Sequence, residues 1–169
     1  MRGCIFKSFS RYLDICSDEH LIEISKSLEA VFDEILGDIS DENQQNFLIL
    51  ITQIVKKDKK TGAELMDKVA PRLKSLFVDN KNDYSRALFY QLMTILYEDF
   101  EQYKKIAKSS LIRGLSDPSK DIKEKMVWYW NKEDKLSSDP FKRLEQLLTE
   151  LYDPDEEPIW LNNAIYLLL

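Results

Sequence analysis

The sequence predicts an all-α chain, an α-solenoid of about nine helices in stacked antiparallel pairs. Three observations predict it. Asp41, Asp79 and Asp117 stand 38 residues apart inside one apolar frame. Apolar residues lie ten, six and two places before each aspartate (Val31, Ile35, Ile39; Val69, Leu73, Phe77; Ala107, Leu111, Leu115). Others lie nine, ten and thirteen places after it (Leu50, Ile51, Ile54; Leu88, Phe89, Leu92; Met126, Val127, Trp130), so all eighteen slots are apolar in a chain that is 44% hydrophobic. A fixed period between about 20 and 50 residues marks a repeat architecture. The last observation is compositional: only 4 Gly and 5 Pro occur in 169 residues, with 32% charged, which favours helices and argues against disorder.

Each unit reads as helix, polar turn, helix. Spacing of ten, six and two is an i, i+4, i+8 row, one face of a helix. The residues after the aspartate form a second helix, and Asp and Ser of the turn are able to cap it by accepting from its free N–H groups. The first helix, residues 2–15, is expected to be the second helix of a preceding unit. Pairs follow at 18–37 and 41–57, 62–78 and 82–100, and 102–115 and 119–131. A fourth, less regular pair spans 139–152 and 157–168. Its second helix keeps the frame with Ala164, Ile165 and Leu168 after Asp155, while its first is shifted by one place to Leu144, Leu148 and Tyr152. The units thus run near 18–57, 62–100, 102–131 and 139–168, all within one solenoid segment covering 1–169, with 1–16 left from the unit before.

Local signals sharpen the boundaries. Thr61-Gly62-Ala63-Glu64 reads as a capping box. Ser138-Asp139-Pro140 puts a cap before Pro at the first helical position. Pro71 falls inside a helical pattern and is expected to bend it. Phe47 to Ile51 and Met126 to Trp130 are apolar almost all round, so their helices need cover on more than one side, which stacked pairs provide. The apolar ending Ile165-Tyr166-Leu167-Leu168-Leu169 lacks the polar outer face of a capping repeat, and a piece of a longer solenoid is the expectation.

A net charge of -6 gives no global support for direct binding to a nucleic-acid backbone. The densest basic run, Lys56, Lys57, Lys59 and Lys60, reads as a solvated helix end. Two cysteines, Cys4 and Cys16, make no disulfide framework, and reduced thiols of a cytosolic or nuclear protein are the default. No apolar run approaches the roughly 20 residues of a membrane span, and the N-terminus has too many charges for a signal peptide.

No catalytic, cofactor-binding or metal-binding residue is assigned. Gly3, Gly37, Gly62 and Gly114 are scattered and form no phosphate cradle. His20 is the single histidine. Cys4, Cys16 and His20 are a weak zinc set without a Cys-x-x-Cys pair, and structural roles are expected for them. Glu98-Asp99 and Glu156-Glu157 lack the shared pocket that would tune acid and base apart. Thr52-Gln53 lies in an apolar helix and is expected to be buried, whereas Ser137-Ser138-Asp139 is read as an accessible cap. Trp130 holds a frame slot and should pack in the core. Trp128 and Trp160 are read as core too, though exposed rings there would mark a partner surface.

A unit of this length, with paired helices, an Asp in its turn and a proline in a first helix, resembles a HEAT repeat. A narrower resemblance runs from Lys105-Ile106-Ala107-Lys108-Ser109-Ser110-Leu111-Ile112-Arg113-Gly114-Leu115-Ser116-Asp117 through Trp130-Asn131-Lys132-Glu133-Asp134-Lys135-Leu136, Arg143-Leu144 and Leu151-Tyr152-Asp153-Pro154. It continues more weakly upstream through Val69-Ala70-Pro71 and Leu92-Met93. This pattern is similar to the middle HEAT region of the DNA-dependent protein kinase catalytic subunit family, well before the kinase domain. The family's Ser-His-Glu after the Trp is Asn131-Lys132-Glu133 here, and its Leu-Pro pair is Leu136-Ser137, departures that imply a distant homologue. The resemblance implies a non-catalytic scaffold segment of a large nuclear kinase for double-strand break repair by end joining. Its implied partners are the neighbouring HEAT repeats of the same parent chain and, through the parent complex, the Ku heterodimer or other end-joining proteins. Direct nucleic-acid and membrane contacts are not implied. The other reading from the residues is a free-standing HEAT-like adaptor that docks a partner peptide or helix.

Overall fold

The computed structural model describes residues 2–36 and 40–168, with the side chains of residues 2–5, 33, 35 and 36 left aside. Among the described residues there are nine α-helices and no strand. They are α1 Arg2–Leu13, α2 Asp18–Leu36, α3 Asp41–Lys57, α4 Lys59–Phe77, α5 Asp83–Asp99, α6 Lys104–Arg113, α7 Lys120–Trp130, α8 Pro140–Gln146 and α9 Glu157–Leu168. The chain is all-α, as its apolar spacing predicts. It divides into two compact units, Met1–Ile95 and Leu96–Leu169, with the boundary inside α5.

In the first unit, α1 packs on α3 and α2 packs on α4, so each helix lies against the helix one pair further along. Rings interlock the layers: Phe32 and Phe47 stand 5.5 Å apart, and Phe77 and Phe89 6.2 Å. The helices are anchored by Phe47, Leu48, Leu50, Ile51, Ile54, Leu65, Met66, Val69, Leu73, Phe89 and Leu92, all fully or almost fully buried. Polar side chains bridge successive turns. Gln45 donates through Nε2 to Asn82 Oδ1 at 3.3 Å and to Ser85 Oγ at 3.1 Å, while Asn82 Nδ2 donates to Asp41 Oδ2 at 3.0 Å. Asn80 Nδ2 donates to Gln44 Oε1 at 3.3 Å. These bonds join residues 36 to 41 apart, close to the 38-residue period.

In the second unit α9 packs against α6, α7 and α8. α6 is also tied to the segment that leads into α9, by Lys105 Nζ to Asp155 Oδ2 at 3.2 Å, Lys108 Nζ to the carbonyls of Glu150 and Tyr152 at 3.1 and 3.4 Å, and Arg113 to Glu156 at 3.5 Å. Fully buried Asn163 of α9 donates to the Ile112 carbonyl at 2.8 Å, near the end of α6.

The 38-residue frame is largely the core, with informative exceptions. Leu50, Ile51, Ile54, Val69, Leu73, Phe77, Phe89, Leu92, Ala107, Leu111, Leu115, Met126 and Trp130 are buried. Leu88 and Val127 are only half-buried and Val31 is exposed, because each lies at the margin of a helical stripe wider than its buried centre. Ile35 and Ile39 lie outside the described side chains. The fourth pair departs further: Leu144, Leu148, Ile165 and Leu168 are exposed, and the buried row is Leu147, Leu151, Trp160, Ala164 and Leu167. After Gln146 the backbone enters a π-helical turn over Leu147–Leu151. A π turn holds one residue more than an α turn, and the residues buried within it are Leu147 and Leu151 rather than the shifted row that the sequence predicts.

The capping box expected at Thr61 is also revised. Helix α4 begins at Lys59, and Asp58 is its cap, its Oδ2 accepting from Thr61 N at 2.7 Å. Asp58 alone separates α3 from α4, in extended backbone at φ -141, ψ 112. Its own N–H still donates to Ile54 O at 3.1 Å, closing α3, so one residue ends one helix and starts the next. Such a corner brings the helices together at Gly62, where a Cβ would lie 2.8 Å from Val55 Cα. Asp139 caps α8 as expected, accepting from Lys142 N at 2.9 Å with Pro140 in the first turn. Helix α4 continues through Pro71 to Phe77.

Candidate interaction surface

The residues weighed for chemistry in the sequence are taken up by structure. Cys16 is buried and its thiol donates to the Leu13 carbonyl at 3.6 Å. His20 is exposed, with Nδ1 2.9 Å from Tyr12 Oη and 3.2 Å from Ser17 Oγ, so it ties α1 to the start of α2. The Cys4 side chain lies outside the described residues. Among the described residues no group of three His, Cys, Asp or Glu is arranged to hold a metal. Thr52 is buried and donates to Leu48 O at 2.7 Å, while half-buried Gln53 accepts from Ser10 at 2.6 Å, so both side chains of this Thr-Gln pair are engaged within the fold.

The basic run is not uniformly solvated. Lys57 reaches back 44 residues to the Leu13 carbonyl and also donates to Cys16 O at 3.2 Å. An ammonium there meets the free carbonyls and negative dipole end of α1. Nothing in the local sequence marks this contact, since only stacking brings the two segments together. Arg143 does similar work in the second unit. Its Nε donates to Ser137 O at 2.7 Å, and its Nη1 donates to Asn131 Oδ1 at 2.8 Å and Leu167 O at 2.9 Å. One guanidinium thereby gathers the α7–α8 connection and the end of α9.

Ion pairs cluster beneath Tyr129. Lys135, mostly shielded, lies 3.3 Å from Glu98 and 3.0 Å from Asp134. Burial works against its charge, but hydrogen bonds to Asp134 and Glu98 prevail and raise its pKa. Burial, with the Glu98 charge second, pushes the Tyr129 hydroxyl well up, so it remains a neutral phenol. Lys135 lies 5.5 Å from the Tyr129 ring centre and Trp130 packs edge-on to Tyr97 at 5.5 Å. This is a packed core with a charged rim.

What remains exposed is apolar and aromatic, and it concentrates in the second unit. Trp130 and Trp160 are buried as expected, but Trp128 is 68% exposed. Phe141 is 84% exposed, and Leu144 and Leu148 complete one i, i+3, i+7 face. On α9, Leu161, Ile165 and Leu168 make an exposed i, i+4, i+7 row. Their repeat counterparts tell more. Ile51 and Ile54, equivalent to Ile165 and Leu168, are 0% exposed. The sequence contains this signal, but periodicity alone does not distinguish a covered apolar face from an open one.

The fold defines an all-helical class of protein, built from paired helices joined by short capped turns and tied across successive pairs by polar side chains. Within that class, a family model described as DNA-PKcs, CC5 matches residues 15–169, and the chain belongs to this family. It is 34% identical over 95 residues to a DNA-dependent protein kinase catalytic subunit of Dictyostelium discoideum, covering 52% of this chain and 2% of that protein. To the subunit of the same name from Xenopus laevis it is 26% identical over 149 residues, covering 82% of this chain and 4% of that one. The chain therefore spans only a few per cent of the length of these relatives. No solved structure matches it. The family resemblance carried by Lys105 to Asp117 and by Trp130 to Leu136 is thus borne out.

Proposed function

We propose that this chain is a non-catalytic scaffold segment of a large DNA-repair kinase, a run of HEAT-like helix pairs forming one solenoid segment. The observation that carries the reading is the set of side-chain bonds between residues one period apart, Asp41, Gln44 and Gln45 with Asn80, Asn82 and Ser85. Contacts repeating at the sequence period are what nearest-neighbour stacking of repeats requires. The exposed faces Phe141/Leu144/Leu148 and Leu161/Ile165/Leu168 fit the seat of a neighbouring helix pair of the parent chain, since the counterparts of Ile165 and Leu168 in an earlier pair are fully covered. Catalysis would then belong to another part of the parent, and nuclear localisation and any engagement of Ku or other end-joining proteins would be properties of the whole assembly.

The test is the pair Leu148→Glu and Ile165→Glu, made in the isolated chain and in the full-length parent. In the isolated chain both side chains are exposed, and the melting temperature should be unchanged. In the parent the buried carboxylates should destabilise the array and lower end-joining activity, because an unpaired charge in an interface costs several kcal/mol. A parent that tolerates both changes would refute the seat; an isolated chain that unfolds would refute the exposed register.

A further inference from the structure

We propose that the groove between α2 and α4 is a docking site for the carboxamide side chain of a glutamine presented by a partner protein. The two helices pack on each other and border a hollow of about 260 Å³. Ile22, Ser25 and Lys26 line it from α2, and Thr61, Glu64 and Leu65 from α4. On each helix these residues stand at i, i+3 and i+4, so each set shares one face. Glu29 and Lys68, one turn further along their helices, form an ion pair across the groove. Leu65, 1% exposed, and Ile22, 39% exposed, supply an apolar wall. The feature that points to a ligand is Ser25. It is 7% exposed and lines the hollow, yet among the described residues its hydroxyl has no hydrogen-bond partner. Other hydroxyls within helices of this chain donate back one turn: Ser27 to Glu23 O at 2.9 Å, Thr52 to Leu48 O at 2.7 Å and Ser110 to Ile106 O at 3.0 Å. Buried polar groups are normally bonded, so the Ser25 hydroxyl is open to an incoming group.

The polar groups left over choose the occupant. Thr61 serves the Asp58 carboxylate, Glu29 and Lys68 hold each other, and Asp67 on the rim has a contact of its own. That leaves Lys26 and Glu64, one cation and one anion on opposite walls, whose side chains have no ion pair or hydrogen bond among the described residues. A lysine or arginine entering between them would meet Lys26, and an aspartate or glutamate would meet Glu64, a like charge in either case. A carboxamide is neutral and carries both functions. Its oxygen accepts from the Lys26 ammonium, its NH₂ group donates to Glu64, and the Ser25 hydroxyl completes the set. Two of these three hydrogen bonds are charge-assisted, and so are the stronger kind. Glutamine fits better than asparagine because its second methylene lies along Ile22 and Leu65. The fold uses the same chemistry internally, where the Gln45 carboxamide donates to Asn82 Oδ1 and Ser85 Oγ.

The site deepens the scaffold reading and rests on it only in that the chain meets partner proteins; its test uses the isolated chain, where the outcome does not depend on Leu148 or Ile165. The full chain, labelled with nitrogen-15, is titrated with N-acetyl-glutamine methylamide while the backbone amide signals of Ser25 and Leu65 are followed. The matching lysine, glutamate and norleucine compounds share the probe's backbone amides, so any difference reports the side chain. A saturable shift with glutamine is expected, with the other three weaker. Ser25→Ala should weaken glutamine binding about fivefold, the loss of roughly one hydrogen bond. The same variant should melt no lower than the unmodified chain, because the hydroxyl it removes bonds nothing within the fold. No saturable shift with glutamine, or a glutamine response that survives Ser25→Ala, would overturn the proposal. Norleucine binding as well as glutamine would overturn it by reducing the groove to an apolar contact. Lysine or glutamate binding more tightly than glutamine would overturn it as well, and would assign the groove to a charged partner.

Discussion

Replacing Gly62 by alanine probes the tightest point of the fold. In an ordinary exposed helix interior this change stabilises by about 1 kcal/mol, because alanine is the better helix former. Here the new Cβ would stand 2.8 Å from Val55 Cα and 3.3 Å from Val55 Cγ2. The nearer atom is backbone, so no rotamer change relieves it, and Val55 itself is 1% exposed. The strand of chain between the helices is the single residue Asp58, bonded at both its N–H and its carboxylate, so the corner cannot open without losing a cap. Overpacking of this kind costs about 1–3 kcal/mol, and a lost cap adds about 1 kcal/mol. Set against the propensity gain, the net expectation is a loss of about 1–3 kcal/mol. Chemical denaturation of Gly62→Ala beside Glu64→Ala, an exposed control two residues away, measures it. The double variant Gly62→Ala/Val55→Ala should recover little, since trimming Val55 removes Cγ2 but leaves Cα. A Gly62→Ala chain as stable as the parent sequence, or one rescued by Val55→Ala, would refute the close-corner reasoning.

Three further outcomes are expected. Leu111→Ala, at a fully buried frame slot, should cost about 2–5 kcal/mol in a denaturant melt, while Leu88→Ala, half-buried, should cost about 1 kcal/mol. Arg143→Met, which keeps the stem but strips three hydrogen bonds, should lose about 2 kcal/mol and expose the end of α9 to hydrogen exchange. Asp58, whose pKa is lowered by its hydrogen bonds to Thr61, contributes stability that is present above its unfolded value and lost as pH falls through its folded one. Asp58→Asn keeps the cap but does not titrate, so its stability should fall less steeply than that of the unmodified chain in melts below about pH 4.

Much of the architecture was legible in the residues because burial in stacked helices imposes a strict row. Leu50, Ile51 and Ile54 and their counterparts across 38 residues carried it. The departures have local causes. Thr61 carries the capping signature, but the shorter corner at Asp58 placed the helix start three residues earlier than the expected 62. Leu144 and Leu148 continue the helical row on paper, but both are exposed and the neighbouring Leu147 and Leu151 are in the core instead. The surface was less legible. Trp128 follows Val127 in an apolar run, and no pattern within α7 separates a ring that packs from one that faces solvent. The long-range clasps of Lys57 and Arg143 depend on segments brought close only by folding.

The π turn at Leu147–Leu151 also bears on how such a chain tolerates changes of length. A residue inserted into a regular helix turns every later side chain by about 100° and would sweep a packed row off its neighbour. A helix that already carries a wide turn holds a spare residue at one defined place. Removing one residue between Leu147 and Leu151 should relax that turn to α-helical form, whereas the same deletion between Ala107 and Leu111 would rotate a buried row out of register. The last pair is therefore the part of the chain where a shift in length is absorbed within a helix.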